Sequence, residues 1–226
     1  MPKDLNAVKI GRSRKRVGAV TKESKPYHHG ALREELIRAA VEIVEEAGPD
    51  GFSLRAAARR AGVSAAAPAH HFGDVRGLLT AVATVGFREF ADELEAVSDR
   101  QATVIAVARV YLRFAQKRPG MFRLMWRTSA FHLTDEGLYQ AGLRAFRVLD
   151  QAVRGKATSE LVGDLSLAPT IAAWSMMHGF SALAIDQAFF ADDPAELAQL
   201  EVLLDAVFSN LDIAKKAASP APTRKR

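Results

Sequence analysis

The 226-residue sequence contains no cysteine, which excludes both a disulfide framework and a zinc–thiolate site. The absence fits a reducing compartment such as the cytoplasm. Export signals are also missing, because no apolar segment follows the basic N-terminus, so we expect no signal peptide. With 49% hydrophobic residues, the chain can bury one large or two small domains.

Membrane-spanning character is weak as well. Residues 165–185 carry no charge and are long enough to cross a bilayer. However, they include Pro169, His178 and several Ser, Thr and Gly residues, and aspartates rather than basic residues flank them. We therefore interpret the stretch as a buried helix and expect no membrane partner.

Motifs of covalent chemistry are absent. The sequence has no Gly-rich phosphate loop, nucleophile elbow, HExxH motif or helix motif that combines carboxylates with histidine. A small helical hydrolase or metal enzyme is therefore the weaker hypothesis. We predict no catalytic residue, no cofactor and no metal.

What the sequence does have is an uneven charge. Residues 1–79 hold 14 Lys+Arg against 9 Asp+Glu, whereas residues 80–226 hold 17 of each. The whole net charge of +5 therefore lies in the N-terminal third, as the binding of a polyanion requires.

Residues 53–79 have the pattern of two short helices joined by a tight turn. Ser53 can cap the first helix, and apolar positions 54, 57, 58 and 61 share one of its faces. Gly62 can supply the positive φ that ends this helix, and Ser64 can cap the next. Two helices crossing over such a turn form a helix-turn-helix, whose second helix can enter the DNA major groove.

The run RAAARRAGVSAAAPAHHFGDVRGLL, residues 55–79, is similar to the DNA-binding signature of TetR-family transcriptional repressors. The resemblance implies an all-α fold, with a three-helix helix-turn-helix DNA-binding domain over residues 27–74. A helical effector-binding and dimerisation domain over 75–213 would follow. The implied function is a ligand-responsive repressor, a homodimer on a pseudo-palindromic double-stranded DNA operator, in the bacterial cytoplasm and associated with the nucleoid.

The resemblance also implies which residues meet the operator. The candidates are Lys25, Tyr27, His28, Ser53, Arg55, Ser64, Ala65, Ala66, Ala67, His70, His71 and Arg76. Ala65, Ala66 and Ala67 resemble the family's base-facing positions, but their methyl groups can only contact thymine methyls. Base recognition should therefore depend on Arg55, which can bond guanine through two hydrogen bonds, and on His70, with DNA shape supplying the rest.

The recognition segment departs from the family pattern. Pro68 has no amide hydrogen, so the helix starts late, near Ala67, or has a loosened first turn. Ala69 and Val75 stand where tyrosine and lysine are usual, which removes two expected phosphate contacts, and Arg76 is a candidate replacement for the second. The His70-His71 pair is either a DNA contact or two surface histidines. Adjacent helical residues point about 100° apart, so we expect no metal there.

Basic segments flank the two domains. Residues 1–26 are interpreted as a disordered arm and residues 214–226 as a disordered basic tail. The arm is a solubilising tail, a nuclear-localisation string, or a segment that lies along phosphates or enters the minor groove. If the arm and tail dominate binding, the protein is a shape-selective DNA architectural protein without an effector.

In the C-terminal part, Trp174, His178 and Gly179 resemble the Trp…His-Gly signature of one class of TetR-family C-terminal domain. Trp174 and His178 would share a helical face, and Gly179 would let another helix come close. Plain core packing is the alternative to a ligand contact. The candidate lining of a pocket for a large apolar or aromatic effector is Phe122, Met125, Trp126, Tyr139, Phe146, Trp174, Met177 and His178.

Apolar periodicity predicts helices over residues 29–47, 75–98, 101–117, 120–127, 134–157, 167–190 and 193–213. The last two helices are apolar on more than one face. We therefore expect a two-fold four-helix interface formed by Ala182, Leu183, Ile185, Phe189, Leu200, Leu203, Leu204 and Phe208.

Overall fold

The structure, a computed structural model, describes residues 29–98, 103–160, 164–189 and 197–211. Within these ranges the regular structure is entirely helical, which confirms the predicted fold class. The α-helices are α1 (His29–Ala47), α2 (Leu54–Arg60), α3 (Ala67–Phe72), α4 (Val75–Ser98), α5 (Val104–Lys117), α6 (Pro119–Met125), α7 (Glu136–Arg154), α8 (Ala168–Ile185) and α9 (Leu197–Leu211). The predicted arm (residues 1–26) and tail (residues 214–226) lie outside the described residues, and so do Tyr27 and His28 and, within the arm, Lys25.

The first three helices form the predicted helix-turn-helix. Ser53 Oγ accepts a hydrogen bond from the amide of Ala56 at 3.2 Å, and Gly62 ends α2 with φ 66°. The late start of α3 at Ala67 is confirmed, which leaves Pro68 in the first turn, where its missing amide hydrogen costs nothing. The predicted side-chain cap from Ser64 is wrong. Its carbonyl oxygen instead accepts from Ala67 N at 3.0 Å and closes a turn ahead of the helix.

Four helices enclose the core of the C-terminal part. The long helix α4 packs along α7, and α5 packs along α8. The apolar face of α4 is buried at Leu79, Val82, Phe90 and Leu94. Because α4 also contacts α1, it joins the helix-turn-helix to the larger helical part.

Local capping shortens several predicted helices. Thr103 Oγ1 accepts from Ala106 N at 3.2 Å and starts α5, and Asp135 Oδ1 accepts from Leu138 N at 2.8 Å and starts α7. A left-handed Gly155 ends α7. The helix α8 ends at Ile185 rather than at residue 190, because the chain turns at Gln187, whose φ is 56°. The predicted start of the last helix at residue 193 lies outside the described residues.

The predicted set of dimer-facing residues is partly wrong. Leu200, Leu204 and Phe208 of α9 are buried inside the protomer, because α9 packs on α5. The large apolar side chains that α8 and α9 do expose are Ile171, Leu183, Leu197 and Val202. A homodimer therefore stays a prediction, and of the residues predicted to contact the partner Leu183 is exposed as expected. None of the described helices is long and apolar enough to cross a membrane.

One buried carboxylate connects α7 to α8. Asp150 has no exposed surface, and it accepts hydrogen bonds from Arg154 Nε and Nη2 at 2.5 Å each and from Thr170 Oγ1 at 2.6 Å. Burial acts to raise the pKa of Asp150, but the bonds from Arg154 and Thr170 outweigh it, and the pKa is lowered. The carboxylate therefore stabilises the fold fully above about pH 3.9, the pKa of an unfolded aspartate, and loses this contribution as the pH falls below it.

We expect Asp150→Ala to lower the free energy of unfolding by about 3 kcal/mol at pH 7, because it leaves Arg154 without its partner in a buried site. Urea unfolding measures this loss. The matched control is Asp205→Ala, which breaks the more exposed pair with Arg109 between α9 and α5. It should cost less than about 1 kcal/mol. Equal losses for the two variants would contradict the role of Asp150.

Candidate DNA-binding surface and ligand cavity

The exposed face of α2 carries three arginines in two different states. Arg60 is held by α1, with its Nη2 at 2.5 Å from Glu46 Oε2 and its Nη1 at 3.9 Å from Glu42 Oε2. Arg55 and Arg59 are exposed, and no carboxylate of the described residues pairs with either. These two guanidinium groups are therefore available to an anionic partner.

The predicted base-facing residues lie mostly ahead of α3. Ser64, Ala65 and Ala66 are exposed in the turn that precedes the helix, and Ala67 is its first residue and is half-buried. The side chains of this exposed turn are therefore no longer than that of serine.

The two histidines of α3 differ in exposure. His70 is exposed, whereas His71 is half-buried, and their rings meet edge to face with centroids 5.4 Å apart. His71 also lines a 460 Å³ cleft between α1, α4 and the start of α7. Their DNA contacts stay predictions.

Arg76 contacts the C-terminal part of the same chain. Its Nη2 donates to the carbonyl oxygen of Phe131 at 2.8 Å. Next to it, the amide of His132 donates to Thr80 Oγ1 at 2.9 Å. The start of α4 is thus bonded to the loop before α7. A phosphate contact by Arg76, still a prediction, would compete with the bond to Phe131.

An apolar cavity of 240 Å³ lies between α4, α5, α7 and α8. Three of the predicted pocket residues, Trp126, Phe146 and Trp174, line it. The walls are carbon almost throughout. The remaining lining residues, which were not predicted from the sequence, are Phe87, Phe90, Leu94, Val107, Tyr111, Gly142, Ala145 and Leu149.

The other predicted pocket residues do not line this cavity. Met125 and Met177 are buried core residues. Phe122 and His178 face a 760 Å³ polar cleft between α1, α6 and α8. Tyr139 is 36% exposed on α7 and lines neither space. Helical periodicity can place Met125 and Met177 on inward faces, but it cannot show which inward side chains border a space.

A hydrogen-bonded chain runs from the cavity wall to the polar cleft. Trp174 Nε1 donates to Tyr111 Oη at 3.2 Å, and Tyr111 Oη is also hydrogen-bonded to His178 Nδ1 at 3.2 Å. Burial raises the pKa of Tyr111 and lowers the pKa of His178, so the hydroxyl keeps its proton and the imidazole stays neutral. His178 is therefore satisfied by a core partner, and the alternative of core packing describes it better than a contact with the cavity.

Gly179 does not have the predicted packing role within the described protomer. A Cβ atom placed on it would meet no described atom within 4 Å. The close approach of another helix is therefore not seen at this position.

Helix α6 joins the cavity to the helix-turn-helix. A Cβ at Gly120 would lie 2.1 Å from the carbonyl oxygen of Val44, so the start of α6 rests on the α1 backbone itself. Glu45 of α1 accepts from Arg118 Nε at 2.5 Å and from Gly120 N at 3.1 Å. Trp126, directly after α6, lines the cavity. One short helix therefore touches both parts of the protein.

We expect Tyr111→Phe to lower the free energy of unfolding by about 1–3 kcal/mol, because Trp174 Nε1 and His178 Nδ1 both lose their partner. The pKa of His178 should stay below its ordinary value in the variant, because burial lowers it. Urea unfolding and an NMR pH titration of His178 measure the two quantities. Neutral His178 stabilises the wild-type fold fully above about pH 6.5, and this contribution falls at lower pH. An unchanged stability would show that the chain of bonds is absent in solution.

Two models of known protein families match the chain, one over the helix-turn-helix and one over the helical C-terminal part. The family model described as "Bacterial regulatory proteins, tetR family" matches residues 36–82, and "Tetracyclin repressor-like, C-terminal domain" matches residues 104–207. None of the curated proteins compared with the chain matches it. The Trp…His-Gly subtype is consistent with the second match.

Solved structures share the fold over most of the chain. A protein of unknown function from Rhodococcus sp. RHA1 is 29% identical, with a TM-score of 0.62 over 83% of this chain and 98% of that one. A TetR-family member from Streptomyces coelicolor A3 is 17% identical, with a TM-score of 0.55 over 78% and 97%. A TetR-family regulator from Marinobacter aquaeolei VT8 is 19% identical, with a TM-score of 0.53 over 83% and 95%. The helix-turn-helix, the helical C-terminal part and the two family models together show that the chain belongs to the TetR family of transcriptional regulators.

Proposed function

We propose that the protein is a repressor in the bacterial cytoplasm that a neutral, apolar small molecule releases from its operator. A homodimer would bind a pseudo-palindromic site through α2 and α3 of residues 27–74, and the effector would occupy the cavity within residues 75–213. The observation that carries this proposal is the position of Trp126. It forms part of the cavity wall, and it directly follows the helix whose other end rests on α1.

On the DNA side, free charge supports the proposal. Arg55 is the unpaired arginine nearest the start of α2, and an arginine there can bond guanine O6 and N7 together. The exposed alanines at 65 and 66 let the backbone come close to the bases but add no hydrogen bond of their own. Arg55 would therefore supply most of the base discrimination.

On the effector side, the size and chemistry of the cavity define the ligand class. A dry apolar cavity of about 150 Å³ holds benzene, so 240 Å³ corresponds to about ten non-hydrogen atoms. The carbon walls offer no partner to a charged group, and burying one there would cost several kcal/mol. The effector is therefore a neutral, compact, two-ring hydrocarbon or a molecule of that size and polarity.

Coupling between the two sites would pass through α6. An effector that displaces the Trp126 ring moves the end of α6, and Gly120 and Glu45 transfer the movement to α1 because no flexible side chain lies between the two backbones. The bond from Arg76 to Phe131 is a second connection, on the other side of α4. Both would change the separation of the two recognition helices in a dimer.

The dimer itself would form through the exposed apolar side chains of α8 and α9. Ile171 and Leu183 lie on α8, and Leu197 and Val202 lie on α9. Their pairing across a two-fold axis would complete a four-helix interface.

We expect Arg55→Ala to lose discrimination at one base pair of the operator by about 1–3 kcal/mol. Arg60→Ala is the matched control on the same helix, and it should keep the discrimination because Glu46 and Glu42 already bind Arg60. Selection of binding sites from random DNA followed by titrations on single-base variants measures both. An equal loss on every sequence would remove Arg55 from base recognition.

The release step is tested with decalin, a neutral two-ring hydrocarbon, and with its carboxylate analogue. Decalin should displace the selected operator in fluorescence anisotropy, and the carboxylate should not, because the cavity cannot solvate its charge. Retention of the operator at saturating decalin would contradict an effector-released repressor. Discrimination between operator and random DNA far below about a thousandfold would favour an architectural protein instead.

A further inference from the structure

Gly142 occupies the interior of α7, where glycine weakens a helix relative to alanine. Such a glycine commonly has one of two structural roles: it adopts a positive φ, or it allows another group to approach closely. Gly142 is not among the positive-φ residues, and a Cβ atom built on it would meet no atom within 4 Å. The contrast is with Gly86, where a Cβ would lie 2.6 Å from Met121 Sδ.

The open space beside Gly142 is the apolar cavity. Gly142, Ala145, Phe146 and Leu149 follow the i, i+3, i+4, i+7 spacing of one helical face, and all four line the cavity. A side chain at position 142 would therefore extend into the cavity. The absence of one enlarges it.

We propose that Gly142 sets the size of the molecule that the cavity accepts. This role would explain why α7 contains a glycine although glycine lowers the stability of a helix. The inference rests on the proposed function only in taking the cavity as the effector site. Alanine at position 142 would narrow the cavity by one methyl group. Leucine would leave room for a single ring but not for two fused rings.

Intrinsic fluorescence gives a direct readout of binding to the cavity. The sequence has two tryptophans, and both Trp126 and Trp174 line the cavity. Decalin and cyclohexane, with two rings and one ring, are suitable probes because neither absorbs in the near ultraviolet. Each is titrated into the full-length wild-type protein and into Gly142→Ala, Gly142→Leu and Gln151→Leu. Gln151 is the matched control, because it is exposed and lies nine residues further along α7, on the opposite face.

The wild type should bind both probes. Gly142→Ala should raise the melting temperature by about 2–4 °C and weaken decalin binding about tenfold. Gly142→Leu should weaken decalin binding about a hundredfold or more and leave cyclohexane binding within about threefold. Gln151→Leu should change neither affinity. A smaller cavity with a more stable helix is the expected combination.

Three results would overturn the inference. The first is a wild type that does not bind decalin, and the second is a Gly142→Leu variant that binds decalin as tightly as the wild type. The third is a lower melting temperature for Gly142→Ala, which would mean that the glycine has a steric role. Should Gly142→Leu fail to fold, Gly142→Ala still decides the question. If decalin binds with the expected size selection but the operator stays bound, the proposed function fails and the role of Gly142 stands.

Discussion

The start of α6 lies on the backbone of α1 with no side chain between them, because the residue at the contact is Gly120. Glu45 holds this contact by accepting from the Gly120 amide and from Arg118, which also reaches Glu89 on α4 at 2.6 Å. Backbone-to-backbone packing of this kind deforms less than packing between long side chains. The position of the helix-turn-helix therefore depends on where α6 lies, and α6 ends at the wall of the cavity.

The cavity is an unusual feature for the core of a protein. A space of this volume in a core is normally filled by side chains, because each missing methylene group lowers the packing energy. Here α7 places Gly142 and Ala145 beside the space, while Asp150, with its bonds to Arg154 and Thr170, fixes the same helix to α8. The stable contact and the unfilled space therefore lie on the same helix.

Local chemistry made much of the fold predictable from sequence. Ser53 and Gly62 act on their own neighbours, and they begin and end α2 as expected. The late start at Ala67 likewise follows from the covalent geometry of one proline. No residue of the sequence indicated the positive φ at Gln187, because the residue there is not a glycine. The full lining of the cavity, the bond of Arg76 to Phe131 and the burial of Leu204 could not be predicted, because they depend on which helices meet across long stretches of chain.

The carbon walls of the cavity have a thermodynamic consequence. Water there gains no hydrogen-bond partner from the walls, and the half-buried side chains of Trp126, Phe146 and Trp174 leave the space open to solvent. A molecule seated against Trp126 and Trp174 would displace this poorly bonded water. Its association would be accompanied by a negative heat-capacity change, because it buries apolar surface.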